Sequence, residues 1–127
     1  MIRRITLVAV PLVLSGSIAH AVTLFTPHVD IAPGQKNRCL VTNVGTTPAE
    51  VTVSPFDGDG KQVPPFADLC SAARPILAPL ERCFVQAADG VEVSCVIQSS
   101  SRNVRGALEV TENSNNHVVA VVPATAK

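Results

Sequence analysis

The sequence predicts an all-β protein, an antiparallel β-sandwich of about seven strands, immunoglobulin-like in size and stapled by two disulfides. Three observations predict it. Short apolar runs with a two-residue alternation recur along the chain, and turn residues separate them at a spacing of roughly ten residues. Four cysteines follow an N-terminal segment that has the features of an export signal. We see no internal repeat, low-complexity tail or second domain.

Residues 1–21 have the pattern of a cleaved signal peptide. Arg3 and Arg4 form a positive start, residues 5–14 are apolar, and Ala19-His20-Ala21 is typical of a signal-peptidase site. The apolar stretch is shorter than the roughly 20 residues that a spanning helix needs, so we expect no stable membrane insertion after cleavage. The mature chain is then a single domain, residues 22–127, with a periplasmic or extracellular location.

The first half of the mature chain contains three predicted strands. Residues 22–31 form an extended segment that Pro27 interrupts, and a Pro-Gly turn follows it. Residues 38–44 alternate, with Cys39, Val41 and Asn43 on one face and the intervening side chains on the other. Residues 50–56 form the third strand, which ends at the Asp-Gly-Asp-Gly turn of residues 57–60.

The second half begins with an irregular segment, residues 63–76, which contains three prolines and has room for one helical turn over residues 68–74. Strands are predicted at residues 81–87, 91–97, 104–111 and 118–122. The second of these has the clearest alternation, with every second residue from Val91 to Ile97 apolar, and an Asp-Gly hairpin signal precedes it.

Charge and composition exclude several classes of partner. The chain has ten basic and ten acidic residues, and two arginines leave with the signal peptide, so the balance predicts no basic face. Binding to nucleic acid or to an anionic membrane surface therefore lacks an electrostatic basis. Tyrosine and tryptophan are absent, which disfavours a carbohydrate-binding module.

The four cysteines predict two disulfides in an oxidising compartment. Three connectivities are possible. Cys39 and Cys95 lie on strands and face the same way as apolar neighbours, whereas Cys70 lies in the irregular segment just before the strand that carries Cys83. We therefore favour Cys39–Cys95 with Cys70–Cys83. Zinc and redox sites are disfavoured, because no Cys-x-x-Cys motif is present.

No group of residues indicates catalysis, a cofactor site or a metal site. Asp57 begins a stretch that resembles a calcium loop, but Lys61 and Gln62 occupy positions that need an oxygen ligand and a glycine, so a turn is the better interpretation. His28 and His117 have no ligand-spaced partner, and no Gly-x-Ser-x-Gly motif occurs. We interpret Arg102 and Arg105 as edge charges that discourage aggregation, with a polar contact surface as the alternative.

The chain also resembles a family. Cys39-Leu40-Val41-Thr42-Asn43-Val44-Gly45-Thr46, the turn at residues 56–60 and Val104-Arg105-Gly106-Ala107-Leu108 are similar to a recurrent pattern in small exported bacterial β-sandwich proteins of unknown function. The resemblance spans most of the mature chain and implies fold and location only. Leu-Glu at residues 80–81 departs from the Pro-Gly turn that many such proteins have there.

These observations together favour a non-catalytic, exported structural or binding module. Its partner would be a protein or a small ligand that the sequence does not identify, bound at a sheet edge or at the loop of residues 63–76. The alternative is a small, disulfide-stabilised inhibitor or toxin-like effector that uses the same loop as a rigid insert.

Overall fold

The computed structural model of the chain describes residues 21–70, 75–87 and 92–127, and all regular structure in these ranges is β. The prediction of an all-β sandwich is confirmed, since two antiparallel sheets pack face to face. Within the described ranges no helix is long and apolar enough to cross a membrane. The signal-peptide prediction falls almost entirely on residues outside the described ranges, as do the Asp-Gly hairpin signal and Val91.

Eleven strands occur in the described residues. In chain order they are β1 (Val22–Phe25), β2 (Val29–Asp30), β3 (Gln35–Asn43), β4 (Ala49–Asp57), β5 (Pro65–Asp68), β6 (Ile76–Leu77), β7 (Arg82–Ala87), β8 (Glu92–Ser99), β9 (Val104–Glu112), β10 (Val118–Pro123) and β11 (Thr125–Ala126).

The first sheet has the order β11-β1-β8-β4-β6, and β2 also pairs with β8. Strands β1 and β2 both lie antiparallel to β8, Phe25 opposite Val96 and Val29 opposite Val93. They are one extended segment broken around Pro27, as the sequence predicts. Proline lacks the N–H that a continuous ladder requires, so the pairing stops there and resumes two residues later.

The second sheet has the order β10-β9-β3-β7-β5, and its central strand is β3. Strand β3 pairs with β9 along all nine of its residues, from Gln35 opposite Glu112 to Asn43 opposite Val104. The outer strand β10 follows β9 with a bulge between Val118 and Ala120. The last residues, β11, leave this sheet and pair with β1 of the other.

The core lies between the sheets and follows the alternation predicted from the sequence. Cys39, Val41 and Asn43 are buried on β3, whereas Leu40 and Thr42 between them face outward and are half-buried. The same alternation holds on β4, β7 and β8. Fully buried core side chains from both sheets include Val41, Leu77, Val85, Val93, Ile97 and Leu108.

Two buried asparagines fasten the sheets' ends to loops and neighbouring strands. The Asn43 side-chain amide donates to the carbonyl oxygens of Thr47 (2.8 Å) and Leu77 (2.9 Å), and its Oδ1 accepts from the Gly45 N–H (2.9 Å). The Asn37 Oδ1 accepts from the Ala87 N–H at 3.0 Å. Buried backbone N–H and carbonyl groups need hydrogen-bond partners, and these two side chains supply partners where β-sheet pairing does not.

The strand count differs from the prediction of about seven. All seven predicted strands are present, the first of them divided into β1 and β2, and the structure adds β5, β6 and β11. β5 lies within residues 63–76, which the prolines make irregular in sequence, and β6 begins at the last residue of that segment. Both are edge strands, where proline is tolerated because one side of the strand needs no donor. Of the possible helical turn at residues 68–74, Asp68 is the last residue of β5, residues 69–70 are not helical, and residues 71–74 are outside the described ranges.

Candidate functional site

Both disulfides that the sequence favours are present. Cys39 on β3 is bonded to Cys95 on β8, with 5.8 Å between the Cα atoms, and this bridge crosses the core between the two sheets. Cys70, just after β5, is bonded to Cys83 on β7, with 5.0 Å between the Cα atoms. No free cysteine remains, so none of the four is a metal ligand or a nucleophile in this state.

The aspartate-rich turn after β4 is organised by hydrogen bonds within the turn. Asp57 Oδ1 accepts from the backbone N–H groups of Asp59 and Lys61, each at 2.9 Å, and Gly60 takes a positive φ of 78°. A carboxylate that caps its own turn is an Asx-type arrangement, the turn interpretation favoured above. Among the described residues there is no group of three or more His, Cys, Asp or Glu side chains arranged to hold a metal ion.

His28, His117, Arg102 and Arg105 are not brought together into one site. His28 is exposed between β1 and β2, and His117 is exposed in the turn before β10. Arg105 lies on β9 opposite Thr42 of β3, near the end of the strand that β10 does not reach, because the pairing of β10 with β9 stops at Ala107. The interpretation of this arginine as an edge charge stays a prediction. The Arg105 guanidinium is exposed on the outer face of the five-stranded sheet and donates to the Val104 carbonyl oxygen at 3.3 Å.

The candidate site is a groove on the outer face of the five-stranded sheet, with a volume of about 600 Å³. We call it the outer groove. It is lined by residues of β3, β7 and β9, by the residue that follows β5, and by Asn116 and Val118 where β10 begins. Among the lining side chains are Arg38, Leu40, Leu69, Arg82, Phe84 and Glu109. The volume is within the range typical of small-molecule sites.

Strand register places an apolar stripe across the floor of the outer groove. Leu40 lies opposite Ala107 of β9 on one side and opposite Phe84 of β7 on the other. The Leu69 N–H donates to the Phe84 carbonyl oxygen at 3.0 Å, which puts Leu69 at the same level. Directly opposed side chains in antiparallel strands share a face, so these four residues form one row. We call this row the apolar stripe.

Charged rows lie on both sides of the apolar stripe. On one side Arg38 is opposite Glu109, with 3.9 Å between Arg38 Nη1 and Glu109 Oε1. The Arg38 guanidinium also lies 4.9 Å from the centroid of the Phe84 ring, and its Nε is buried without a hydrogen-bond partner. On the other side Thr42 is opposite both Arg82 and Arg105.

The outer face is basic, which corrects the expectation of no basic face. Among the described residues of its strands it carries four cations and one carboxylate, whereas the chain as a whole has equal numbers of basic and acidic residues. The cations are Lys36, Arg38, Arg82 and Arg105, and the carboxylate is Glu109. The alternation of β3 is the sequence signal that points to this face, because it places Leu40 and Thr42 outward. Arg38, Arg82 and Phe84 were missed as site residues, since their proximity depends on which strands are neighbours.

Comparisons with known proteins support the fold. No protein-family model matches the chain, and no curated protein matches it in sequence. The fold is similar to that of a solved structure described as the crystal structure of Thermotoga maritima 1070. The TM-score is 0.56 and the sequence identity 14%, and the match covers 85% of this chain and 96% of the other. At that identity the likeness shows a shared fold.

Proposed function

We propose that this protein is a non-catalytic, exported binding module that takes a small ligand in the outer groove. The observation that carries the proposal is the apolar stripe, which remains open to solvent between two rows of charged side chains. A sheet face made only for solubility would place polar side chains at Leu40 and Phe84. An apolar floor with few convergent polar groups is typical of ligand sites.

An extracytoplasmic location is part of the proposal. Two disulfides are consistent with an oxidising environment, periplasmic or extracellular. The predicted export signal at residues 1–21 supports the same compartment. The resemblance to small exported β-sandwich proteins agrees with this location and adds no activity.

A fragment screen by NMR tests the binding function. The ¹⁵N-labelled protein, recovered after export of the full chain, would be titrated with a library of small apolar and amphipathic fragments. We expect shift changes to cluster at the amides of Leu40, Leu69 and Phe84. Leu40→Thr should remove them, because it puts a hydroxyl in the middle of the apolar stripe, and threonine, as a β-branched residue, still suits a strand.

The matched control is Val96→Thr. Val96 is also half-buried and faces outward from a central strand, but it lies on the other sheet. The proposal requires that this variant bind fragments like the unmodified protein. Shift changes confined to the Val96 face, or no specific shifts at all, would show that the outer groove is not a binding site. A broad hydrolase screen is expected to show no turnover.

The disulfide-tied loop favours a second function, that of an inhibitor or toxin-like effector. Phe66 on β5 is 77% exposed and Ile76 on β6 is 58% exposed, and both lie within residues 63–76. The Cys70–Cys83 bridge fixes this segment to β7, which would reduce the ordering cost of binding. Under this function Phe66→Ser would abolish inhibition of a target enzyme or cell and leave the fold and fragment binding intact.

A further inference from the structure

We infer that the ligand of the outer groove is a small apolar carboxylate, an inference that rests on the proposed binding function. The apolar part would lie on the apolar stripe, over Leu40 and Phe84. The carboxylate would bind at the rim, where Arg38 and Arg82 lie on opposite sides of the apolar stripe. The inference depends on charge, on strand register and on the incomplete pairing of these two arginines.

The outer face of the five-stranded sheet has an excess of positive charge. Among the described residues, the outer face of the five-stranded sheet carries Lys36 and Arg38 from β3, Arg82 from β7 and Arg105 from β9, against one carboxylate, that of Glu109. The net charge of this face is +3, whereas the whole chain has a formal net charge of zero. Among the charged residues that line the groove, the two arginines Arg38 and Arg82 outnumber the carboxylate of Glu109, and an excess of positive charge attracts anionic ligands and raises their local concentration.

Two of these cations lie on either side of the apolar stripe. Arg38 and Arg82 lie on adjacent strands on opposite sides of the apolar stripe, separated along the sheet by the Leu40–Phe84 pair. A ligand resting on that pair therefore has a guanidinium on either side. Guanidinium groups bind carboxylates in a bidentate geometry, which gives direction as well as affinity.

Neither arginine is fully paired by the residues that the structure describes. Arg38 Nη1 is 3.9 Å from Glu109, too far for a hydrogen bond, and Arg38 Nε has no partner. Arg82 is exposed and makes no ion pair with any residue that the structure describes. Arg38 is nevertheless held in place by its stacking on Phe84. One arginine is thus oriented in advance, and the other is free to close on an anion.

The volume of the groove and the amino-acid composition of the chain favour a small-molecule ligand. The groove volume of about 600 Å³ suits a ligand of that class. A sugar is disfavoured because the chain has no tyrosine or tryptophan to stack against it. A cationic ligand would be repelled by the face. An aromatic or aliphatic monocarboxylate fits both parts of the groove, because its apolar part can contact the apolar stripe and its carboxylate can bind an arginine at the rim.

Phenylbutyrate and phenylbutanol form a matched pair of probes, with the same carbon skeleton and a different charge. We expect phenylbutyrate to bind the exported protein about tenfold more tightly by calorimetry, since a charge-assisted hydrogen bond is worth that much. Raising the salt concentration should lower the affinity for phenylbutyrate and leave the affinity for phenylbutanol unchanged. NMR shifts for both probes should map to Leu40 and Phe84.

Two arginine variants test the rim. Arg82→Gln should remove the tenfold preference for phenylbutyrate, and Arg102→Gln, an equally exposed arginine before β9, should leave it intact. Arg82→Lys should keep part of the preference, because it retains the charge without the planar fork. Arg82 is exposed and makes no fold-holding contact among the described residues, so unchanged amide spectra away from the groove are expected for both substitutions.

The outcomes separate the inference from the function on which it rests. If both probes bind the outer groove with equal affinity, the groove is a binding site but the carboxylate inference is wrong. The same holds if Arg82→Gln and Arg102→Gln lose the preference equally. If neither probe shifts the groove amides while other fragments do, the inference fails alone. If no fragment of any class binds there, both fail.

Discussion

Removing the two disulfides one at a time should separate the stability of the sandwich from the geometry of the outer groove. Cys39–Cys95 joins residues 56 apart in sequence, and Cys70–Cys83 joins residues 13 apart. Loop-closure entropy then assigns about 4 kcal/mol to the long bridge and about 3 kcal/mol to the short one. The Cys39→Ala/Cys95→Ala variant should therefore lose about 1 kcal/mol more than Cys70→Ala/Cys83→Ala.

Ligand affinity should follow the opposite order. Cys70 follows Leu69 and Cys83 precedes Phe84, so the short bridge holds one end of the apolar stripe against β7. Without it, Leu69 loses its fixed position, and the contact that it offers a ligand is worth about 1 kcal/mol. Phenylbutyrate should then bind about fivefold more weakly. The long bridge lies in the core, and its loss should leave affinity unchanged wherever the variant remains folded.

Guanidinium chloride unfolding followed by circular dichroism gives the stabilities, and calorimetry in buffer gives the affinities. The midpoint and slope must both be fitted, because a changed slope would indicate an altered unfolded state. A larger stability loss for the short bridge would refute the loop-length reasoning. Equal losses of affinity in the two variants would refute the assignment of the Cys70–Cys83 bridge to the groove.

Two further substitutions test the interior. Asn43→Ala should lower the free energy of unfolding by about 3 kcal/mol in guanidinium titrations, because the backbone groups of Thr47, Leu77 and Gly45 lose their partner. The control Asn113→Ala, at an exposed position in a turn, should lower it far less. Gly106→Ala should cost about 1–3 kcal/mol, since the new Cβ would contact Ile97 Cδ1 and lie 3.1 Å from Ala124 Cβ; an unchanged melting temperature would contradict this packing.

Alternation and cysteine placement carried the fold prediction. The two-residue period put Cys39 on the buried face of its strand and Cys95 on the buried face of another, which is the condition for a bridge across the core. The break at Pro27 was also readable, because the loss of a backbone donor is a local property. Features that depend on one segment's own chemistry were therefore predicted correctly.

Strands β5 and β6 were missed for a different reason. Each is short and lies beside prolines, so neither has a recognisable pattern of its own. Strand β6 exists because Ile76 and Leu77 pair with the first two residues of β4, and β5 exists because it pairs with β7. Their structure comes from the neighbouring strand and the disulfide. A propensity summed over their own residues could not reveal it.

The outer groove was hidden by the same dependence on neighbours. Lys36, Arg38, Arg82 and Arg105 are spread over three strands that are distant in sequence, and only the order β9-β3-β7 collects them on one face. A balanced count of charges describes the average over the molecule, whereas a ligand responds to the local field. A one-residue slip of β3 would exchange Arg38 and Leu40 for Asn37 and Cys39. The Cys39–Cys95 bridge opposes that slip, because it requires Cys39 to face the core. The residue that stabilises the interior of the sandwich thus also fixes which side chains form the groove on its surface.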